Sequence, residues 1–172
     1  MSLKSFINQR NLSRYKKLVQ EINKHYQIIQ HYEQKELVEA LDNLTNNPSL
    51  SLKHKTIQAM AIAKRAAQIV LGMTYYDVQL MGALALVDGA MAEMKTGEGK
   101  TLTCSASVIA NYVLGYRTHV ATANDYLAAR DEEQLRKLYS FLGLTSSSNI
   151  SSMQKEQKKE AYLCDVLYST AQ

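Results

Sequence analysis

From residue 10 to about residue 30, apolar side chains fall at Leu12, Tyr15, Leu18, Val19, Ile22, Tyr26 and Ile29. Spacings of three and four place them on one face of an amphipathic helix. A second helix is expected from about Glu33 to Leu44, with Leu37, Val38, Leu41 and Leu44 on one side. Thr45-Asn46-Asn47-Pro48-Ser49 breaks it, and Pro48 is the only proline in the chain. A third helix is expected from about Leu52 to Leu71, with Ile62, Ala66, Ile69 and Met73 along one stripe and Gly72 as its stop.

The pattern changes after Gly72. Asp77 is placed to cap a short helix from Val78 to about Val87, and Asp88-Gly89 turns the chain. Residues from Met91 read as a short strand that runs into a glycine-bearing loop, after which a helix starts. In that helix Leu102, Ala106, Ile109 and Val113 repeat at helical spacing, and Gly115 ends it. Arg117 to Thr122 reads as a strand, and Asn124-Asp125 opens another helix with Leu135, Leu138 and Leu142 inward. Leu144 to Ile150 is a Ser-rich connector with some strand character. A charged helix from about Met153 to Tyr162 and a strand from Cys164 to Ser169 follow. The alternation of strand and helix predicts an α/β fold whose crossovers make the sheet parallel. The loop then lies at the carboxyl edge of the strands.

The loop brings in chemistry. Met94 to Thr101 is nearly a phosphate-binding sequence of the form G-x-x-x-x-G-K-[ST], departing from it at Met94. Gly97 and Gly99 let successive N–H groups turn into one concavity. Lys100 can reach the β and γ phosphates, and the Thr101 hydroxyl can ligate Mg²⁺. The N-terminus of the next helix adds roughly half a positive charge.

Composition narrows the classes. The apolar fraction of 46% and charged fraction of 21% are those of an ordinary soluble globular chain. No apolar run reaches the ~18 residues of a membrane span, and no secretory leader is visible, so a cytosolic location is expected. Cys104 and Cys164 are far apart in sequence, without a zinc or disulfide spacing. His25, His31 and His54 are expected at the surface. The net charge is +4, but the first twenty residues alone carry +5, through Lys4, Arg10, Arg14, Lys16 and Lys17. The remainder is at −1. A nucleic-acid-binding body is basic on its own face, so no nucleic acid is expected as a partner. The basic arm, interleaved with Leu3, Phe6, Ile7, Leu12, Leu18 and Val19, suits an anionic membrane surface. It suits equally a helix whose apolar stripe packs on the domain.

Three stretches resemble the SecA preprotein translocase ATPases. Gly72-Met73, Tyr76-Asp77-Val78-Gln79-Leu80 and Gly82 resemble their adenine-recognition segment. Ala92 to Thr103 is similar to their phosphate loop, Met94 included. Thr122 to Asp131 resembles their next helicase-type motif, and Phe141 to Thr145, Lys159 to Tyr162 and Tyr168 to Thr170 continue the match. The resemblance covers roughly residues 72 to 172. It implies a RecA-like P-loop nucleotide-binding domain, in part, over residues 72–172, preceded by an N-terminal helical segment over residues 1–71. Its sheet would carry helices on both faces.

ATP and Mg²⁺ are the implied cofactors. Gln79 would read adenine, since one side-chain amide can accept from the amino group and donate to a ring nitrogen. Met73 and Tyr76 would lie beside the base. Thr96, Gly97, Glu98, Gly99, Lys100 and Thr101 would form the phosphate and Mg²⁺ site, Glu98 through its backbone N–H with its side chain toward solvent. Arg130 and Asp131 are read as an exposed ion pair on a capped helix.

In the family, the acidic Mg²⁺-binding pair lies beyond residue 172, and the arginine that accelerates hydrolysis comes from a second domain. This chain is therefore expected to bind nucleotide weakly and to be inactive or nearly so alone. The implied partners are a SecY-type membrane channel, a preprotein and possibly a second copy of the full-length motor, at the cytoplasmic face of a bacterial plasma membrane. Ala83, Tyr116-Arg117 and Ala123 depart from the usual pattern and point to an accessory-type paralogue with a restricted set of substrates. Two alternatives stand beside this reading: a nucleic-acid helicase fragment, and a non-catalytic membrane-surface or interaction module.

Overall fold

A computed structural model describes residues 3–171, with side chains from residue 11 onward. Four helices come first: α1 (Leu3–Ile29), α2 (Gln34–Asn46), α3 (Leu52–Leu71) and α4 (Asp77–Val87). After the loop come α5 (Lys100–Val113), β1 (Thr118–Thr122), α6 (Asp125–Phe141), β2 (Ser146–Asn149), α7 (Lys155–Ala161) and β3 (Val166–Thr170). The sheet has the order β1-β3-β2, and both pairings are parallel. Thr118 stands opposite Val166, and so does Ser146 from the other side. No described helix is long and apolar enough to cross a membrane.

The helix boundaries have local causes. Ser51 Oγ accepts the His54 N–H at the start of α3, and Gly72 closes it in the left-handed region at φ 64°. At the start of α6 the Asn124 side chain accepts the Leu127 N–H. Tyr76, not Asp77, holds the N-cap position of α4. Asp77 is the first helical residue, where its carboxylate accepts from Asn23 of α1 at 3.0 Å. A carboxylate in the first helical turn still favours the helix dipole.

One hydrophobic core runs through the helices and one face of the sheet. Leu18, Val19 and Ile22 of α1, Leu37 and Leu41 of α2, and Met60 and Ile62 of α3 are buried in it. Ile109 of α5, Leu135 and Leu138 of α6, and Val166 and Tyr168 of β3 complete it. Leu167, which alternates to the other face of β3, is buried outside that cluster, as is Ala161 of α7. The sheet therefore has helical cover on both faces.

The apolar stripe of α1 is spent on this core from Tyr15 onward, while Arg14, Lys16 and Lys17 stay exposed. The expected contributions of Leu3, Lys4, Phe6, Ile7 and Arg10 to a membrane-facing arm lie outside the described side chains. Helix α1 also grips α4 at both ends. Besides the Asn23–Asp77 bond, Arg14 and Tyr15 donate to Asp88 at 2.8 and 2.9 Å. Histidine 25 is half-buried rather than at the surface, and burial pushes its pKa down.

The expected strand before the loop does not form. Residues 90–95 carry no assigned secondary structure, although burial alternates, with Ala92 and Met94 half-covered and Met91 and Glu93 exposed. No neighbouring strand is hydrogen-bonded to them among the described residues. A strand is a property of a ladder, and alternation alone does not supply the partner. The half-covered side of Ala92 and Met94 faces a gap that reaches Val120, Ala121 and Thr122 of β1.

Candidate nucleotide-binding site

The loop turns where its sequence requires. Gly97 and Gly99 take φ of 87° and 79°, a region that costs an L side chain about 1–2 kcal/mol. Nothing lies within 4 Å of a Cβ built on Gly97, so the loop is open on that side. A Cβ on Gly99 would sit 2.4 Å from Gln79 Nε2. Gln79 packs that closely because its side chain is buried and bonded at both ends. Its Oε1 accepts the Tyr76 N–H at 3.0 Å, and its Nε2 donates to the Glu98 carbonyl at 2.9 Å. The residue expected to read the base thus ties α4 directly to the loop.

Glu98 differs from expectation. Its N–H, expected to serve the phosphates, donates to the Lys95 carbonyl at 3.3 Å. Its exposed carboxylate accepts the Lys95 N–H at 2.7 Å. The acid completes a local turn that consumes two loop amides. Lys100 opens α5 and is exposed, with no ion-pair partner among the described residues.

A cavity of about 760 Å³ joins the two halves of the site. Met73, Tyr76 and Gln79 line it from the α4 side; Gly97, Glu98, Gly99 and Thr101 line it from the loop side. Met73 and Tyr76 are 47% and 70% exposed, which leaves their side chains free to cover a planar group. Tyr75, between Thr74 and Tyr76, turns inward instead, with its hydroxyl 2.6 Å from Ser105 Oγ and its pKa raised by burial. Thr96 is exposed in the loop and does not line this cavity, and Lys100 opens into a second cavity on the sheet side.

Sequence reasoning missed Gln134, which reaches the first cavity from α6. No local signal marks it, because its approach depends on how α6 packs. Asp131 also lies closer to the loop than an exposed ion pair would. Arg130 binds it, as expected, but Thr101 Oγ1 lies 3.4 Å from its Oδ2.

These features suit a polyphosphate. The concavity is open at Gly97, one unpaired cation stands beside it, and the dipole of α5 points at it. The described residues contain no cluster of three or more metal-ligating side chains. A Mg²⁺ ion that accompanies a nucleotide is commonly held by phosphate oxygens, water and one or two protein oxygens. Thr101 would supply one of them.

Gly99→Ala is expected to show how tightly Gln79 and the loop are joined. The new methyl group adds the strain of a positive φ and pushes the Gln79 amide off Glu98, for a loss of about 2 kcal/mol. A melting curve should fall by roughly 5 °C. Gly89→Ala, also at positive φ but with no atom near its Cβ, should fall by less. Equal shifts for the two variants would remove Gln79 from the explanation.

A parallel sheet with a glycine loop opening a helix at its carboxyl edge defines an α/β nucleotide-binding domain of the RecA-like P-loop type. The chain belongs to the SecA DEAD-like domain family, which matches residues 3–172. It is 40% identical over 167 residues to the protein translocase subunit SecA of Methylococcus capsulatus, covering 95% of this chain and 18% of that protein. The chain thus spans about a fifth of the length of that relative.

Proposed function

We propose that this chain is the ATP-binding leading part of a SecA-type motor that couples ATP hydrolysis to preprotein export. The carrying observation is the single cavity that joins Gln79, Met73 and Tyr76 to the loop from Gly97 to Thr101. Adenine would lie against Met73 and Tyr76, with Gln79 exchanging its present bonds for base edges. The phosphates would sit on the loop, with Lys100 as counter-charge and Thr101 on Mg²⁺. Magnesium would neutralise phosphate charge when bound; positioning falls to the chain's own loop and to Gln79.

Turnover asks for more than binding. A water must be oriented, and an arginine placed on the terminal phosphate contributes about 10³ to 10⁵ in rate. Among the described residues, no arginine lines either cavity. We therefore propose that the chain binds nucleotide without useful hydrolysis. A full motor of this kind would work at the cytoplasmic face of the membrane with a SecY-type channel and a preprotein, as a homodimer. The exposed Lys16 and Lys17 would face anionic lipid. Division into residues 1–71 and 72–172 belongs to the same proposal, as does the accessory route suggested by Ala83, Tyr116-Arg117 and Ala123.

Titration with a fluorescent ADP or ATP analogue in Mg²⁺ tests the reading. Saturable binding, competed by unlabelled ATP and accompanied by no multiple-turnover phosphate release, is expected. Lack of any binding would overturn the nucleotide site. Multiple turnover that disappears in Lys100→Ala would overturn the proposed inactivity.

A further inference from the structure

Asp131 lies on α6, with its side chain 15% exposed. Arg130 donates to Oδ1 from both Nε and Nη2, at 2.9 and 2.6 Å. That fixes the carboxylate and leaves Oδ2 to face Thr101, whose Oγ1 donates to it at 3.4 Å. The contact is long for a hydroxyl–carboxylate bond, for which about 2.5–2.7 Å is usual. The two oxygens are held near each other without closing on each other.

Their surroundings point to a ligand. Thr101 and Asp131 line the sheet-side cavity of about 350 Å³ together with Lys100 and Thr122. Thr103, two residues further along α5, lines it too, and its buried hydroxyl is the only buried side-chain polar atom without a partner among the described residues. A carboxylate beside a polyphosphate loop is repulsive unless a cation lies between them. Lys100 is one positive charge against several negative ones.

We propose that Asp131 is a further carboxylate, beside the family's acidic pair, that orients the Mg²⁺ ion of the bound nucleotide, with Oδ2 accepting from water on the ion beside Thr101. Arg130 acts as the positioning residue that keeps Oδ2 turned inward. This rests on the nucleotide reading and adds to it a protein acid from α6. Asp131 then has opposite effects in two conditions. With Mg²⁺ it strengthens nucleotide binding; without Mg²⁺ its charge opposes the phosphates and weakens it. A residue that merely braces α6 against α5 would lower both affinities alike.

The test is ADP affinity of the 172-residue chain, measured by calorimetry in excess Mg²⁺ and in EDTA, for the original chain and Asp131→Asn. The ratio of the two affinities should fall about tenfold or more in the variant, the range typical for an outer carboxylate of a metal site. Its affinity in EDTA should be equal or tighter. An unchanged ratio in a folded variant overturns the role of Asp131 and leaves the nucleotide site standing. Absence of ADP binding by the original chain overturns both. Circular dichroism checks folding, and Asp131→Ser carries the same comparison if the amide variant does not fold.

Discussion

Lys100→Ala is expected to lower nucleotide affinity about ten- to a hundredfold while leaving the fold intact. A hydrogen bond to a charged group contributes about 1.5–3 kcal/mol, which converts to that range. The two effects separate because Lys100 is exposed and makes no ion pair among the described residues. Removing a cation from the first position of α5 also relieves an unfavourable interaction with the helix dipole, so melting temperature should hold or rise slightly. Fluorescent-nucleotide titration and a thermal melt read the two quantities. Undiminished affinity in the alanine variant would mean that the loop does not carry phosphates. A collapse of the melt would mean that Lys100 holds the loop or α5 in place.

Arg136→Ala is expected to be the most destabilising surface substitution in the chain, by about 3 kcal/mol, or roughly 6–12 °C in melting temperature. Arg136 is itself 60% exposed, but its partner Glu132 is buried, with 1% of its side chain accessible. The guanidinium clamps both carboxylate oxygens at 2.9 and 2.5 Å, and Ser146 of β2 donates to Oε1 at 2.6 Å. Without the arginine, a buried negative charge keeps only a serine. The asymmetry is the informative part. Glu132→Gln removes the buried charge and should cost less than Arg136→Ala. The double variant should be more stable than Arg136→Ala alone, because the uncompensated charge is gone. Denaturant melts of the three proteins give the coupling, and additive losses would contradict the account.

How far the sequence can be read depends on where the determinant of each element lies. Helix α3 matched its expected bounds because both ends are set locally, by Ser51 and Gly72. Gly97 and Gly99 adopted the positive φ their positions called for. The base-side and phosphate-side residues met in one cavity, except Thr96 and Lys100. The strand expected from Met91 does not form, because alternation is local but a ladder is not. Asp77 is the commoner type of cap residue, but the cap falls one position earlier, where Gln79 Oε1 accepts the Tyr76 N–H; Asp77 instead meets Asn23, 54 residues away. Gln134 and the approach of Asp131 to Thr101 likewise follow from α6 packing across the sheet, and no neighbouring residue announces them. For residues 1–20, periodicity fitted both membrane and core; burial of Leu18 and Val19 assigns that part of the stripe to the core.

The unpaired segment before the loop also bears on how the chain behaves in a test tube. Its main-chain groups and the outer edge of β1 are not paired with another strand among the described residues, and such edges are templates for sheet growth between molecules. Glu93 and Lys95 interrupt the segment with opposite charges on either side of Met94, and interspersed charge discourages that growth. Glu93→Gln would leave Lys95 as the one charge beside Met94, so aggregation should set in at a lower protein concentration.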